Sequence, residues 1–241
     1  MQLLSTSKRW ESTRLLLTIK IRDIIIISMI EVDPRQFIIK RKRKLYRFAL
    51  FANSPLCFEL EEWEPSKVDV LELGAGTALF AVEMAAKHPT KQFVAVDVKA
   101  DRLQKGAYLA TEKRLTNIRF VRARADQLDQ IVQPLSLQSL WITFPDPFPK
   151  KRAAGRRMTH RNFLKQYKKL LKPGGALYLK HDNRDFFAWS LEQLVAERWH
   201  IDELTFDLHD TDLHSDYKIL TTYEQRWLGK GLATNFVKAT K

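Results

Sequence analysis

From Val68 onward, short apolar runs alternate with longer amphipathic segments. The runs VDVLEL, QFVAVDV, IRFVRA, SLWITF and ALYLK are rich in β-branched and aromatic residues, a pattern typical of buried strands. Segments between several of them, such as LFAVEMAAK and DRLQKGAYLATEK, repeat their apolar residues at helical spacing. Strands that alternate with helices predict an α/β fold, in which a doubly wound, mostly parallel sheet carries helices on both faces.

The later part of the chain continues this alternation. Residues 161–175, RNFLKQYKKLLKPGG, predict a helix that ends at its Pro-Gly pair, and residues 184–199 predict another helix. The segment after Trp199 predicts a β-hairpin or a strand pair around a loop. No internal repeat or low-complexity linker divides the sequence. We therefore expect one domain over residues 35–241.

Residues 1–34 differ from the rest and are interpreted as an N-terminal extension. The run IKIRDIIIIS is apolar and β-prone, but Arg22 and Asp23 interrupt it and no small-residue cleavage site follows, which argues against a secretory signal. Met29 is a candidate for the natural start of translation, in which case the earlier residues are translated from sequence upstream of that start. The alternative is that they form an extension without fixed structure. We expect no membrane span, because no stretch has the roughly 18 to 20 consecutive apolar residues that a spanning helix needs.

The composition is strongly basic. The 241 residues include 41 Lys and Arg against 28 Asp and Glu, a formal net charge of +13. Such a charge indicates a polyanionic partner, either nucleic acid or an anionic membrane surface, although a basic enzyme without such a partner is an alternative. In residues 35–51, RQFIIKRKRKLYRFALF, cations surround aromatic side chains. This pattern fits either a solvated basic arm or an arm that lies on phosphates.

A single cysteine, Cys57, limits the redox and metal chemistry. One cysteine excludes an intrachain disulfide, which fits a reducing cytoplasm. No cluster of histidines and cysteines accompanies it, and the histidines have no recognisable metal-ligand spacing. We therefore predict a cytoplasmic protein without a metal site.

The loop LELGAGTAL, after the first of these strands, raises the question of a cofactor. Gly74 and Gly76 let a ligand approach the backbone closely, and the helix that follows offers free N–H groups. A dinucleotide site would have a third glycine where this chain has Leu79, and the anion Glu72 would disfavour a pyrophosphate. Glu72 instead suits a cationic ligand such as S-adenosylmethionine, because it would attract the sulfonium and the α-ammonium. Its alternative role is to cap the following turn.

Two further acids follow the next two strands. Asp97 ends QFVAVDV about 20 residues beyond the glycine loop, where a carboxylate accepts hydrogen bonds from ribose hydroxyls. Asp126 follows the third strand and is well placed for an adenine edge. Open α/β sheets bind ligands at the carboxyl ends of their strands. Together with the glycine loop, the acids at three successive strand ends therefore predict a site for a methyl donor.

The stretch TFPDPFPKKR, residues 143–152, places one acid between prolines at the end of a strand. Proline fixes φ, donates no backbone hydrogen bond and favours an extended residue before it, so Asp146 is held on a stiff frame. Pro-Asp-Pro is also ordinary turn chemistry, and most such turns carry no function. The local sequence leaves both interpretations open.

Together with these residues, three motifs resemble the bacterial tRNA (guanine-N7-)-methyltransferases, a class I S-adenosylmethionine-dependent family. The motifs are FPDPFPKKR followed by RR, HDN at residues 181–183 and TTYE at residues 221–224. The resemblance runs from about Val68 to Glu224 and implies the Rossmann-like, mostly parallel seven-stranded sheet of class I methyltransferases. It also implies a reaction, the transfer of a methyl group from S-adenosylmethionine to N7 of guanosine 46 in the variable loop of tRNA. A monomer and a homodimer are both compatible with it.

The resemblance also assigns roles to residues of this sequence. It implies that Asp146 lies where the methyl donor and the guanine meet. The implied donor-binding residues are Glu72, Asp97 and Asp126, beside Gly74 and Gly76 of the loop, and the implied tRNA-binding residues are Lys150, Asp182, Thr221 and Glu224. Arg152, Arg156 and Arg157 of the basic cluster are candidates for contacts with the phosphates of the tRNA. Asp182 and Glu224 are candidates for the N1–H and N2–H donors of guanine. Asp182 would equally serve as the N-cap of the helix that follows it.

Some positions depart from the family pattern. Ala78 stands where many members have a glycine, Ala153 replaces a histidine and Gly155 replaces a lysine. Two other functions therefore stay open, a noncatalytic or weakened RNA-binding relative and a methyltransferase with a non-tRNA acceptor. A nicotinamide-dependent oxidoreductase is disfavoured by Glu72.

Overall fold

A large sheet with helices on both faces forms the body of the protein. The computed structural model describes residues 17–21, 24–28, 42–229, 231 and 233–241. The helices and strands are, in chain order, β1 (Leu17–Ile21), β2 (Ile24–Ser28), α1 (Lys42–Ala52), β3 (Cys57–Glu59), β4 (Val70–Leu73), α2 (Leu79–Lys87), β5 (Phe93–Asp97), α3 (Ala100–Glu112), β6 (Ile118–Arg122), β7 (Leu137–Thr143), α4 (Arg161–Leu170), β8 (Leu171–His181), α5 (Arg184–Ala196), β9 (His200–Thr205), α6 (Thr222–Leu228) and β10 (Asn235–Thr240).

Within the described residues, strands β3 to β10 form one eight-stranded sheet in the order β3-β6-β5-β4-β7-β8-β10-β9. Neighbours among β3 to β8 are parallel, whereas β10 is antiparallel to both β8 and β9. The prediction of a doubly wound, mostly parallel sheet is confirmed. The predicted count of seven strands is one too few, because β3 adds a short strand to the edge of β6.

Apolar side chains cover both faces of this sheet, since successive residues of the central strands point to opposite sides. Val70 of β4 belongs to the core shared with α1, α2 and α3, whereas Leu71 belongs to the core shared with α4 and α5. The chain winds in opposite directions from β4, with β5 on one side and β7 on the other. The carboxyl ends of β4 and β7 therefore border the crevice where open α/β sheets bind ligands.

The N-terminal region is described in part. β1 and β2 pair in antiparallel orientation, with Leu17 opposite Ser28. The rest of the predicted extension and the first part of the predicted basic arm lie outside the described residues, at positions 1–16, 22–23 and 29–41. The second part of that arm is the helix α1, whose Ala49 and Phe51 are buried in the core. This part is therefore not a free arm, because one face of the helix packs on the core, although Tyr46 and Leu50 stay exposed. The alternative in which its cations lie on phosphates stays a prediction.

The helix predicted before the Pro-Gly pair is confirmed, but it ends earlier than expected. α4 stops at Leu170, and β8 follows at once and includes the Pro-Gly segment. Pro173 favours an extended conformation in the residue before it, which suits a strand and not a helix. A Cβ atom on Gly175 would lie 2.7 Å from the carbonyl oxygen of Leu137, so glycine is needed where β8 approaches β7.

The predicted strand pair after Trp199 is confirmed, since β9 and β10 pair in antiparallel orientation. They are not joined by a simple loop. A 3-10 helix over Ser215–Lys218 and the helix α6 lie between them. α6 has only 7 residues, too few to show a helical period of apolar positions, and this explains why the pattern does not predict it.

Candidate active site

The predicted donor-binding loop lies at the carboxyl end of β4, at the switch point of the sheet. Gly74 and Gly76 have φ angles of 72° and 56°, which glycine adopts without strain. Ala78 has a φ of 53° and carries the strain that a glycine would avoid. A Cβ atom on Gly74 would lie 3.0 Å from Cε of Met158, whereas one on Gly76 would meet no atom within 4 Å. Gly76 therefore borders open space, as a ligand-binding loop requires.

Glu72, at the end of β4, is buried, with 2% of its surface exposed. Its carboxylate accepts a hydrogen bond from the hydroxyl of Thr143 at 2.7 Å and another from the backbone N–H of Ala81 at 3.1 Å. Burial, which these bonds offset in part, raises the pKa of Glu72 from 4.5 to about 7. The bond to Ala81 in α2 corresponds to the capping role that the sequence leaves open.

Asp97 and Asp126 follow the ends of β5 and β6 but differ in environment. Asp97 accepts hydrogen bonds from the backbone N–H groups of Gly76 and Lys99, both at 2.8 Å, and is therefore fixed against the glycine loop. Asp126 is exposed and forms a bidentate ion pair with Arg124, with both N–O distances 2.9 Å. The hydrogen bonds from Arg124 lower the pKa of Asp126.

Asp146 lies in the turn that follows β7. Phe144 and Phe148, which flank this turn, have φ angles of 49° and 41°, a region that bulky side chains rarely occupy. Such strain persists only where the surrounding structure fixes it, and it is concentrated at functional sites. Asp146 is exposed, and within the described part of the chain its carboxylate has no hydrogen-bond partner. The turn therefore presents a carboxylate that is available to a ligand.

The basic segment after this turn begins with exposed cations. Lys150 and Arg152 are exposed, and residues Lys151–Arg156 form a 3-10 helix. Gly155 is also exposed, and a Cβ atom added to it would meet no atom within 4 Å. The segment therefore has room for a lysine at this position, although this chain has none there.

The last two arginines of the basic segment contact Phe148, at the end of the Asp146 turn. The guanidinium of Arg156 lies 4.5 Å from the ring centroid of Phe148. Arg157 donates a hydrogen bond to the carbonyl of Phe148 at 3.1 Å and lies 4.3 Å from the ring centroid of Trp189. Both arginines thus fix the strained end of the Asp146 turn, and their predicted contacts with tRNA stay a prediction.

Asp182 follows β8 and is half-buried. One of its carboxylate oxygens accepts a hydrogen bond from the hydroxyl of Tyr223 at 2.9 Å. The N-cap of α5 is Asn183, whose side chain accepts a hydrogen bond from the N–H of Phe186 at 2.8 Å. The alternative that Asp182 caps this helix is therefore wrong.

Thr221 and Glu224 form a capping box at the start of α6. The hydroxyl of Thr221 accepts from the N–H of Glu224, and the carboxylate of Glu224 accepts from the N–H of Thr221, both at 3.0 Å. The same carboxylate accepts from Lys180 at 2.7 Å and from His209 at 2.9 Å. Glu224 and Lys180 are buried, with 2% and 0% exposed. A contact between Glu224 and guanine stays a prediction. It would require Glu224 to break at least one of its present hydrogen bonds.

Sequence reasoning missed the residues that connect these parts. Lys180 has one detectable signal, since a lysine inside the apolar run ALYLK requires a buried partner. His181, which donates a hydrogen bond from Nε2 to the carbonyl of Pro145 at 2.9 Å, has no such signal. The hydroxyls of Thr77 and Thr222, 2.6 Å apart, link the glycine loop to α6. These contacts join distant segments, so local patterns do not contain them.

Other candidate sites fall outside this region. A cavity of about 440 Å³ lined by Lys67, Asp69, Gln92 and Ser136 lies at the amino ends of the strands, on the opposite edge of the sheet. Among the described residues, no group of three or more His, Cys, Asp or Glu side chains is arranged to hold a metal ion. No helix in this part of the chain combines the length and the apolar character needed to cross a membrane.

Solved structures resemble the fold at low sequence identity. The 16S rRNA methyltransferase KamB superposes with a TM-score of 0.54 at 14% identity, covering 75% of this chain and 89% of that chain. A precorrin-6y C5,15-methyltransferase from Geobacter metallireducens gives a TM-score of 0.50 at 13% identity, covering 86% and 91%. These proteins modify different acceptors, so the likeness shows the fold and not the acceptor.

Sequence comparisons are more specific. Residues 66–236 match Methyltransf_4, a methyltransferase family model. A tRNA (guanine-N(7)-)-methyltransferase from Cytophaga hutchinsonii is 36% identical over 70% of this chain and 78% of its own length. Enzymes of the same name from Brevibacillus brevis and Bacteroides thetaiotaomicron are each 32% identical, over 81% and 82% of this chain and 92% and 85% of their own lengths. The chain therefore belongs to the tRNA (guanine-N7-)-methyltransferase family.

Proposed function

We propose that this protein transfers a methyl group from S-adenosylmethionine to N7 of a guanine in tRNA, with guanosine 46 of the variable loop as its target. The observation that carries the proposal is the exposed carboxylate of Asp146 on a strained turn at the carboxyl end of β7. β7 pairs directly with β4, which carries the glycine loop. One crevice can therefore hold a donor and an acceptor side by side, and the names of the relatives supply the acceptor.

The residues at the donor end of the crevice fit S-adenosylmethionine, which supplies a methyl group on a positively charged sulfur. Gly74 and Gly76 would let the donor approach the backbone, since Gly76 borders open space. Asp97 is fixed against Gly76 and keeps lone pairs for ribose hydroxyls. Glu72 would attract the positive charge at short range from its buried position. Asp126 would accept from the adenine end at the surface.

The acceptor end would act mainly by alignment. Guanine N7 is an acceptor with a free lone pair and no proton, so the reaction needs no general base. Correct positioning contributes about 7 to 11 kcal/mol in favourable cases. Asp146 and Asp182 would accept hydrogen bonds from N1–H and N2–H of guanine. Adenine has an acceptor at N1 and would leave a carboxylate unpaired, so this arrangement would reject it.

The exposed cations beside the Asp146 turn would bind the phosphates of the tRNA. The target base must leave its stack to reach the crevice, which costs a few kcal/mol. Contacts from Lys150 and Arg152 would offset part of that cost. Thr221 and Glu224 would support the acceptor end by holding α6, and with it Tyr223, against Asp182. We place this reaction in the cytoplasm.

The reaction can be tested directly with a matched pair of variants. The purified protein is incubated with labelled S-adenosylmethionine and unmodified tRNA, and the RNA is digested to identify the methylated nucleoside. We expect 7-methylguanosine from the natural chain. Asp146→Asn should reduce kcat about 10²-fold, the scale of a misaligned reacting group. Asp129→Asn, the same change at another exposed acid, should have no effect.

The possible failures are informative. Methylation of a protein or a small molecule, with none of tRNA, would show a non-tRNA acceptor. Tight tRNA binding without methyl transfer, and with no loss of binding in Asp146→Asn, would show a noncatalytic RNA-binding relative. Full activity of Asp146→Asn would remove the proposed role of this carboxylate while leaving the reaction intact.

A further inference from the structure

His181, at the end of β8, connects the two turns that carry the acids of the acceptor end. Its side chain is buried, with 3% of the residue exposed. Nε2 lies 2.9 Å from the carbonyl oxygen of Pro145, the residue before Asp146. Nδ1 lies 2.8 Å from the backbone nitrogen of Asn183, the residue after Asp182. One imidazole therefore fixes the distance between the Asp146 turn and the Asp182 turn.

These two partners determine the protonation state of the ring. A carbonyl oxygen can only accept a hydrogen bond, so Nε2 must carry a proton. A backbone N–H can only donate, so Nδ1 must carry none. His181 is therefore neutral in this arrangement. Burial, only partly offset by Pro145 and Asp182, lowers the pKa of His181 below its usual 6.5, which agrees with a neutral ring near pH 7.

A second partner of Nδ1 is within reach. One carboxylate oxygen of Asp182 lies 3.2 Å from Nδ1, while the other accepts from the hydroxyl of Tyr223. Asp182 is the charged group that acts on this ring, since the aromatic neighbours Phe144 and Phe186 are uncharged. Without a proton on Nδ1, the near oxygen of Asp182 is free to accept from a ligand. With a proton there, Nδ1 donates to Asp182 and releases the N–H of Asn183.

We propose that neutral His181 is the positioning residue that holds the two acid-bearing turns in register, and that its protonation pairs it with Asp182 and switches guanine methylation off. This inference rests on the proposed function. It assigns the acid limit of the reaction to a residue that does not touch the reacting atoms. The lost activity follows because the protonated Nδ1 then binds the near oxygen of Asp182, while the N–H of Asn183 loses its acceptor and the two turns are no longer held in register.

The test combines kinetics with a spectroscopic measurement. The kcat and the KM for tRNA are measured between pH 4.5 and 8.5 for the natural chain, His181→Gln and His181→Phe. S-adenosylmethionine is kept saturating, so that a loss of donor affinity when Glu72 gains a proton below about pH 7 does not enter kcat. His200→Asn is the control, because the His200 side chain is 79% exposed. Two-dimensional ¹⁵N NMR of histidine-labelled protein reports which ring nitrogen of His181 is protonated at each pH, and the variants assign the signal.

We expect the natural chain to lose kcat in acid at the same pH at which Nδ1 becomes protonated. His181→Gln should keep an N–H for the carbonyl of Pro145 and therefore retain most of the activity at pH 8, without the acid loss. His181→Phe should lose about 10²-fold in kcat at every pH. Its affinity for S-adenosylhomocysteine should be unchanged, since the glycine loop is not involved. The control should follow the natural chain.

Each contrary result has a separate meaning. A protonated Nδ1 at pH 7.5, full kcat in His181→Phe, or an acid loss that persists in His181→Gln would overturn the role of His181. If the variants fail to fold, a mismatch between the acid loss and the protonation of Nδ1 in the natural chain would overturn it. Absence of 7-methylguanosine at every pH would instead reject the proposed function, and the role of His181 with it.

Discussion

Glu72 is an ionisable group in a buried position, where the charged form is disfavoured. Burial raises its pKa to about 7 in the native chain, well above the value of 4.5 that applies in the unfolded chain. The native chain therefore keeps this carboxyl protonated at pH values where the unfolded chain does not. Stability from this group is fully present below pH 4.5 and is lost as the pH rises through about 7. The shift corresponds to a loss on the order of 3 kcal/mol above pH 8. A buried charge kept at this cost is typical of a functional position.

Glu72→Gln should therefore make the protein more stable at high pH and weaken its binding of S-adenosylmethionine. Glutamine keeps an acceptor for Ala81 and a polar partner for Thr143 but carries no charge. At pH 8.5 the variant should be more stable than the natural chain by up to about 3 kcal/mol, and at pH 5 the difference should fall to about 1 kcal/mol or less. Its affinity for S-adenosylmethionine should fall, because a cationic ligand loses an opposite charge.

Thermal unfolding at the two pH values and calorimetric titration with the donor measure both effects. Glu192→Gln, at an exposed position of α5, is the matched control and should change neither. A stability difference between Glu72→Gln and the natural chain that does not depend on pH would contradict the buried titration. Unchanged donor affinity would assign Glu72 to capping α2 alone.

At the level of elements, the local sequence predicts the buried strands, but not the contacts between residues that are distant in the chain. The strands β4, β5 and β7 are covered on both faces, so their apolar runs appear directly in the sequence. The place of Asp97 beside the glycine loop was predictable because this residue ends such a run. The partner of Lys180 was not, because Glu224 lies 44 positions away and is brought to it by the fold. The short elements β3 and α6 have too few residues for a period.

The motif TTYE illustrates a second limit of sequence reasoning. The resemblance implies substrate contacts for Thr221 and Glu224, yet the same letters match the pattern of a capping box. The structure has that capping box and a buried ion pair to Lys180. A motif that marks a family can therefore mark the support of a site as well as its surface. Only the three-dimensional contacts separate the two roles.

Thr221→Ala should test the supporting role of α6. It removes the acceptor for the N–H of Glu224 and should cost about 1 kcal/mol, the usual value of an N-cap. For a chain of this size the melting temperature should fall by about 2 to 4 °C. Methyl transfer should fall as well, because α6 carries the Tyr223 hydroxyl that fixes Asp182.

Circular dichroism melts and the methylation assay measure these effects, with Thr221→Ser as the control. Serine keeps the hydroxyl acceptor, so this variant should behave like the natural chain in both assays. Equal melting temperatures for the alanine and serine variants would show that the capping box does not hold α6. A loss of stability without a loss of activity would separate α6 from the acceptor end.

At the level of the whole molecule, the net charge of +13 gives an attraction to RNA that is not specific to any one site. The structure divides the cations beside the Asp146 turn into two kinds. Lys150 and Arg152 are exposed, whereas Arg157 is bound to Phe148 and Trp189. Composition alone indicates a polyanionic partner but cannot make this division. The salt dependence of tRNA binding can distinguish the two kinds of cation, because only cations that contact phosphates release counterions.

The affinity for tRNA should therefore fall steeply with salt, and single cations should change the slope. Each phosphate contact contributes about 0.7 to 0.9 to the slope of log K against log salt. Arg152→Gln should lower the slope by about this amount, and Gly155→Lys, at an open position where the family pattern has lysine, should raise it by as much. Lys113→Gln is the control, because Lys113 pairs with Glu83 at the opposite edge of the sheet.

Binding isotherms at several salt concentrations, with a stable donor analogue present, give these slopes. The slopes of Arg152→Gln and Gly155→Lys should differ from that of the natural chain in opposite directions, while the control should match it. If Arg152→Gln and Lys113→Gln lower the slope equally, the attraction is spread over the whole surface and the basic segment is not a specific phosphate site. If neither variant of the basic segment changes the slope, the tRNA binds on another face, and the assignment of the acceptor end to the Asp146 turn falls with it.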